Sequence, residues 1–186
     1  MAITHRYWRW KITDLSTTAN DTLQVTEVEL RNGGSSVSWV SVATTSPDPN
    51  SAGPGTFGWY LAGGEPVTNL TDGNLSNKGT CFADTANVGF PVQVATVVID
   101  AGGAVTADSF RYMTGNDHAE RDPVSWTLEY LDDASAWTVC QTSTRVSITA
   151  SRSTWTQDFA FSGGGSSTPY PVANAQRNRR SSGRYL

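Results

Sequence analysis

Two alternating segments flank a charged loop in Arg111-Tyr112-Met113-Thr114-Gly115-Asn116-Asp117-His118-Ala119-Glu120-Arg121-Asp122-Pro123-Val124-Ser125-Trp126-Thr127-Leu128-Glu129-Tyr130. On each side of the loop apolar and polar residues alternate, the period of a half-buried strand. The loop itself holds a Gly-Asn-Asp and an Arg-Asp-Pro. This pattern predicts two neighbouring antiparallel strands with a chemically rich end loop, the place where a rigid β scaffold carries binding groups.

The same pattern recurs elsewhere. In Tyr7–Ile12, Trp8, Trp10 and Ile12 share one face, and Tyr7, Arg9 and Lys11 the other. Leu23–Arg31 sets Val28 and Leu30 against Glu27 and Glu29, and Asn32-Gly33-Gly34 ends it. Further strands are expected at 92–100, 104–113, 124–131, 137–141 and 155–161. Pro and Gly at high density make 46–64 a long loop, with Phe57, Trp59 and Tyr60 embedded in it. Residues 67–81 form a compact turn region around Asp72-Gly73-Asn74. No helical period runs over ten residues and no repeat is present, which excludes parallel α/β folds. The expected fold is an all-β sandwich of the jelly-roll type.

The chain divides into a sandwich domain, 1–162, and a Gly/Ser linker with a basic arm, 163–186. Residues 168–186 have too little aliphatic content to build a core. The formal charge is −4, and the last segment holds four arginines (Arg177, Arg179, Arg180, Arg184) and no acid, so residues 1–162 carry −8. An acidic body lacks the basic surface that nucleic acid requires. The arm suits an acidic partner surface, and a neighbouring subunit is the expected partner for 168–186, making the protein oligomeric. No apolar run reaches the ~20 residues of a membrane helix, and the N-terminal residues lack the apolar core of a signal peptide. Synthesis in the cytoplasm is expected. Cys81 and Cys140 leave two readings open, one disulfide or two buried free thiols.

Four sequence pieces resemble the galactose-binding-like, or discoidin-like, family. They are Leu70-Thr71-Asp72-Gly73-Asn74, the Gly115–Trp126 loop and strand, Tyr130-Leu131-Asp132-Asp133 with Trp137-Thr138, and Arg6-Tyr7-Trp8-Arg9 followed by Val25-Thr26-Glu27-Val28-Glu29-Leu30. In the family the last pair usually closes the domain. Here it comes first, so the chain looks circularly permuted, which a sandwich with adjacent termini tolerates. The resemblance covers residues 5–161. The hairpin lacks the family's glycine after Asp133, 46–64 looks like an insertion, and the arm has no counterpart. Permuted copies of this kind look like those of bacteriophage tail and capsid proteins. The resemblance therefore implies a virion structural protein that touches host-surface glycans; the competing expectation is a stand-alone carbohydrate-binding module.

It also implies a structural calcium on Asp72 and Asn74, completed by Glu27. Oxygen ligands on a tight turn suit Ca²⁺; a plain turn with Asx capping is the other reading. For sugar, Asn116, His118 and Arg121 supply polar groups, and Trp59 or Tyr60 a stacking platform. Arg121-Asp122 also reads as an internal salt bridge that fixes the loop before Pro123. Trp8, Trp10, Trp126, Trp137 and Trp155 are expected in the core, whereas Trp39, Trp59 and Tyr60 sit in or beside loop sequence. With two histidines and no recognisable nucleophile, zinc or phosphate motif, no catalytic activity is expected.

Overall fold

The computed structural model describes residues 1–17, 22–37, 41–43, 58–59, 64–82, 95–132 and 136–162, with the backbone alone at 41–43, 58–59 and 82. Tyr60, Trp39, Asp133 and the arm 163–186 lie outside the described residues. The strands are β1 (Ile3–Leu15), β2 (Thr22–Asn32), β3 (Ser35–Ser36), β4 (Ser41–Ala43), β5 (Gly58–Trp59), β6 (Gly79–Phe82), β7 (Ala95–Ala107), β8 (Ser109–Thr114), β9 (Pro123–Leu131), β10 (Trp137–Ser143) and β11 (Phe159–Ala160). Among the described residues the only helical turns are two 3-10 segments, Val67–Thr71 and Ala119–Arg121.

The strands form two antiparallel sheets, ordered β10-β9-β1-β7-β4 and β11-β8-β2-β6-β5, with β3 paired to β2. The sheets pack face to face as an all-β sandwich. Trp10 of the first sheet meets Phe110 and Tyr112 of the second at ring distances of 5.0 and 5.3 Å. Trp126 meets Phe159 across the same gap at 4.8 Å. Alternation explains these contacts, since it turns Trp8, Trp10 and Ile12 inward together, and all three are fully buried.

Two of the five tryptophans expected in the core are not there. Trp137 and Trp155 are half-buried. Each is capped by an arginine instead: the Arg9 guanidinium lies 4.3 Å from the Trp137 ring, and Arg111 4.2 Å from Trp155. The polar side of β1 is also covered. Arg9 and Lys11 are buried, and Arg9 pairs with the Glu129 carboxylate.

Some boundaries differ from expectation. A break between 100 and 104 is instead a bulge within β7. His5 pairs with Val105 and Tyr7 with Asp100, so residues 101–104 stand opposite Arg6 alone. Gly102, at φ 73, and its N–H on Asp100 Oδ1 at 2.8 Å, make that excursion possible. Inside the expected 46–64 loop, β5 pairs with β6. In the expected strand 155–161 only Phe159–Ala160 is strand, with Trp155 held to Met113 by an isolated bridge.

The cysteines are settled as free thiols, buried in opposite sheets, Cys81 on β6 and Cys140 on β10. Burial pushes the Cys140 thiol up to about 12 and raises Cys81 as well.

Candidate functional site at the loop end of the sandwich

The β8–β9 loop, the chain after β10 and the end of β1 meet at one end of the sandwich. Gly115 ends β8 at a close approach, where a Cβ would stand 3.1 Å from the Gln24 side chain. The 3-10 turn Ala119–Arg121 follows, and Tyr112 anchors the return by donating its hydroxyl to Pro123 O at 2.5 Å. From β1, Ser16 N–H reaches Asp122 O at 2.9 Å.

Two buried charge networks fix these loops. Arg152 donates to both Asp122 oxygens, at 2.9 and 2.6 Å, and to the carbonyls of Asp117 and Thr149 at 3.2 Å. Asp122 is only 2 % exposed. Burial pushes its carboxyl up, opposed by the pull of Arg152. The salt bridge expected between Arg121 and Asp122 is therefore corrected: the cation comes from Arg152, thirty residues away. Adjacent residues leaving a 3-10 turn for an extended segment aim apart.

The second network centres on Lys78, which is also buried. Its Nζ donates to Asn116 Oδ1 at 2.9 Å and to Asp117 at 2.9 and 3.0 Å. Gln24, with its amide oriented to satisfy its neighbours, donates to Asp117 and accepts from Arg121 Nη1 at 2.6 Å and Lys78 Nζ at 3.1 Å. Asn116 and Arg121 are thus drawn to one network, with Arg121 turned toward Gln24. His118 stands apart in the same loop, half-exposed, its Nδ1 2.8 Å from Glu120 Oε1. Trp59 lies on β5 opposite Cys81 in the ladder. Sequence reasoning missed Lys78, Gln24 and Arg152, because each is a lone polar residue whose partners are far along the chain.

Strained backbone gathers at this end. Among the described residues the only non-glycine positions with positive φ are His118 (32), Arg145 (43) and Ser153 (47). All three border the same loops: Ser153 N–H donates to Gly115 O at 3.1 Å, and Arg145 N–H to Ser125 Oγ at 2.9 Å. Such backbone costs of order 1–3 kcal/mol per residue and collects at functional sites. Between these loops opens a cavity of about 280 Å³, lined by Ser16, Ala119, Asp122, Val124 and residues 145–150.

The expected calcium turn stands on the outer face of the second sheet. Gly73, at φ 75, presents its N–H to Glu27 Oε1 at 2.8 Å. Glu27 and Asp72 come into carboxyl–carboxyl contact, and burial first, then Asp72, push the Glu27 carboxyl up to about 7. Asn74 does not join them. Its Oδ1 accepts from Ser76 N–H at 3.1 Å, an Asx turn. Asn77 donates to Asp72 at 2.8 Å while its own Oδ1 is buried without a partner. The Asp72 oxygens thus accept from Asn74 N–H and Asn77 Nδ2, each at 2.8 Å, and of the expected calcium set the structure brings together Glu27 and Asp72. Among the described residues no group of three or more His, Cys, Asp or Glu is gathered that could hold a metal.

No family model matches the chain, and no curated protein or solved structure matches it significantly.

Proposed function

We propose that the chain is a non-catalytic binding domain of the galactose-binding-like jelly-roll type. It serves as a structural subunit of a bacteriophage particle, in the tail, the baseplate or a capsid-decorating position. Its loop end contacts a host-surface glycan, and its C-terminal arm contacts neighbouring subunits. The observation that carries the binding role is the coincidence of strained backbone, two buried charge networks and a cavity at one end of the sandwich. Such an arrangement is rigid before any ligand arrives, and pre-organisation is what a shallow polar site needs to hold a sugar. The chain order supports the jelly-roll reading. The path crosses repeatedly between the sheets, staying in one only at β2–β3, β5–β6 and β9–β10, and the first two strands are central, β1 between β9 and β7 and β2 between β8 and β6. A permutation that brings the closing pair to the front would have that effect.

Screening the full chain on a glycan array tests the binding role. Binding is expected, and Asn116→Ala with His118→Ala should weaken it by about tenfold or more, the worth of one or two polar contacts. An array without signal overturns the glycan contact. Replacing Arg177, Arg179, Arg180 and Arg184 with serine in the full chain separates the two roles. Loss of the assembled species by light scattering supports the virion subunit, and unchanged behaviour supports the stand-alone module.

A structural calcium on Glu27 and Asp72 completes the reading. The raised carboxyl of Glu27 makes it testable by pH. Between its ordinary value of 4.5 and about 7 the folded protein keeps a proton that the unfolded chain has lost. Stability therefore falls as pH rises through that window. Calcium binds the ionised form, so it should raise the melting temperature more at about pH 8 than at about pH 5.5. Glu27→Gln is expected to remove both the slope and the calcium effect. No calcium-dependent shift at the higher pH would rule the site out.

A further inference from the structure

The cavity at the loop end carries a preference for charge. Val124, Val146 and Ile148 give its lining apolar area, and Ser147 and Thr149 add hydroxyls. Of the two charged lining residues, Asp122 is already held by both Arg152 nitrogens. Arg145 is the one cation of the lining, and it is bound to Asp14 through a single nitrogen, Nη1.

Arg145 is half-exposed, and its guanidinium is only partly used. One nitrogen is committed, with Nη1 on Asp14. Nη2 reaches Ser16 O at 3.4 Å, the limit of a hydrogen bond, and among the described residues Nε meets no acceptor. Asp14 is buried, so it orients the guanidinium from below. The Nε–Nη2 edge is the fork that receives a carboxylate through two parallel bonds. The main chain at Arg145 is left-handed, which glycine or asparagine would adopt with less strain. Its N–H on Ser125 Oγ and the Val146 N–H on Val124 O, each 2.9 Å, hold it there. A strained arginine whose Nε–Nη2 edge carries only the long contact to Ser16 O, beside a cavity of about 280 Å³, offers an anion a fork held in place before binding.

We propose that this cavity seats a carboxylated sugar, a uronic or sialic acid unit of a glycan. The carboxylate lies on the Nε–Nη2 edge of Arg145 and the ring against Val146 and Ile148. This rests on the glycan reading above and names the sugar class. A neutral hexose offers the same ring without the charge, so the preference comes from Arg145 alone.

The test compares methyl glucuronide, sialyllactose and methyl glucoside on the full-length protein by ligand-observed NMR titration. The acidic sugars should bind about tenfold more tightly than the glucoside, the usual gain of a charge-assisted pair. Arg145→Gln should erase that preference, and Arg145→Lys, which keeps the charge and loses the fork, should erase most of it. Because Arg145→Gln also strips Asp14 of its cation, Ser147→Trp provides a second variant. It fills the cavity without touching either ion and should abolish binding with the melting temperature unchanged. Equal affinity for glucuronide and glucoside, or acidic-sugar binding that survives Ser147→Trp, overturns the proposal and leaves the glycan reading standing. Failure of these probes and of every arrayed glycan to bind overturns both.

Discussion

Replacing Trp10 with alanine lowers the free energy of unfolding by about 3–5 kcal/mol, read by urea denaturation. Trp10 is fully buried at the meeting of the sheets, against Phe110, Tyr112 and Trp126. Truncation removes its transfer energy and opens a cavity that two β-sheets, locked by their ladders, close poorly. A domain stability of roughly 5–15 kcal/mol makes this a large share. Trp10→Phe separates packing from polarity. Trp126 donates its indole N–H to Gln141 at 2.7 Å and Trp8 to His5 O at 3.2 Å, whereas the Trp10 N–H is buried without a partner. An unmade bond of that kind costs about 1–3 kcal/mol. Phenylalanine removes the orphan donor while keeping most of the ring, so Trp10→Phe should cost well under half of Trp10→Ala. Equal losses for the two substitutions would contradict this account of the core.

The alternation of β1 and β9 was legible because a strand's period is local: once Trp8 faces inward, Trp10 and Ile12 must follow. What covers the other face was not legible. Period 2 separates Arg9 and Lys11 from the tryptophans, yet it says nothing of Glu129, whose carboxylate buries Arg9 from the neighbouring strand. Trp137 and Trp155 failed as core residues for the same reason. An alternating tryptophan is compatible with either face, and the arginines that cap these rings, Arg9 two strands from Trp137 and Arg111 on β8, are not marked by the period. The break expected between 100 and 104 falls inside one strand, because glycines such as Gly102-Gly103 serve a bulge as readily as a strand end. At the site, the sequence marked the loop that holds Asn116, His118 and Arg121. It could not mark Lys78 or Arg152, whose partners lie 38 and 30 residues away. Likewise the Glu27–Gly73 contact joins residues 46 apart, and no local spacing marks it.

Substituting Arg152 with methionine should cost about 3–5 kcal/mol, more than any surface ion pair in this fold, because it strands a buried carboxylate. Both Asp122 oxygens bond to Arg152, and that carboxyl is already raised by burial. Without the guanidinium Asp122 must ionise unpaired or take up a proton, and either choice costs free energy. The double variant Arg152→Met with Asp122→Leu removes both charges, so its loss should be much smaller than the sum of the single losses. Stability and binding then come apart in a way that pairing alone would not predict. Arg152 also holds the carbonyls of Asp117 and Thr149, one from each loop at the site. Methionine and leucine restore the apolar packing and not that clasp. The double variant is therefore expected to regain most of its stability in urea while sugar binding stays weak. Recovery of both together would mean that the ion pair acts on the fold alone and that the loops keep their positions without it.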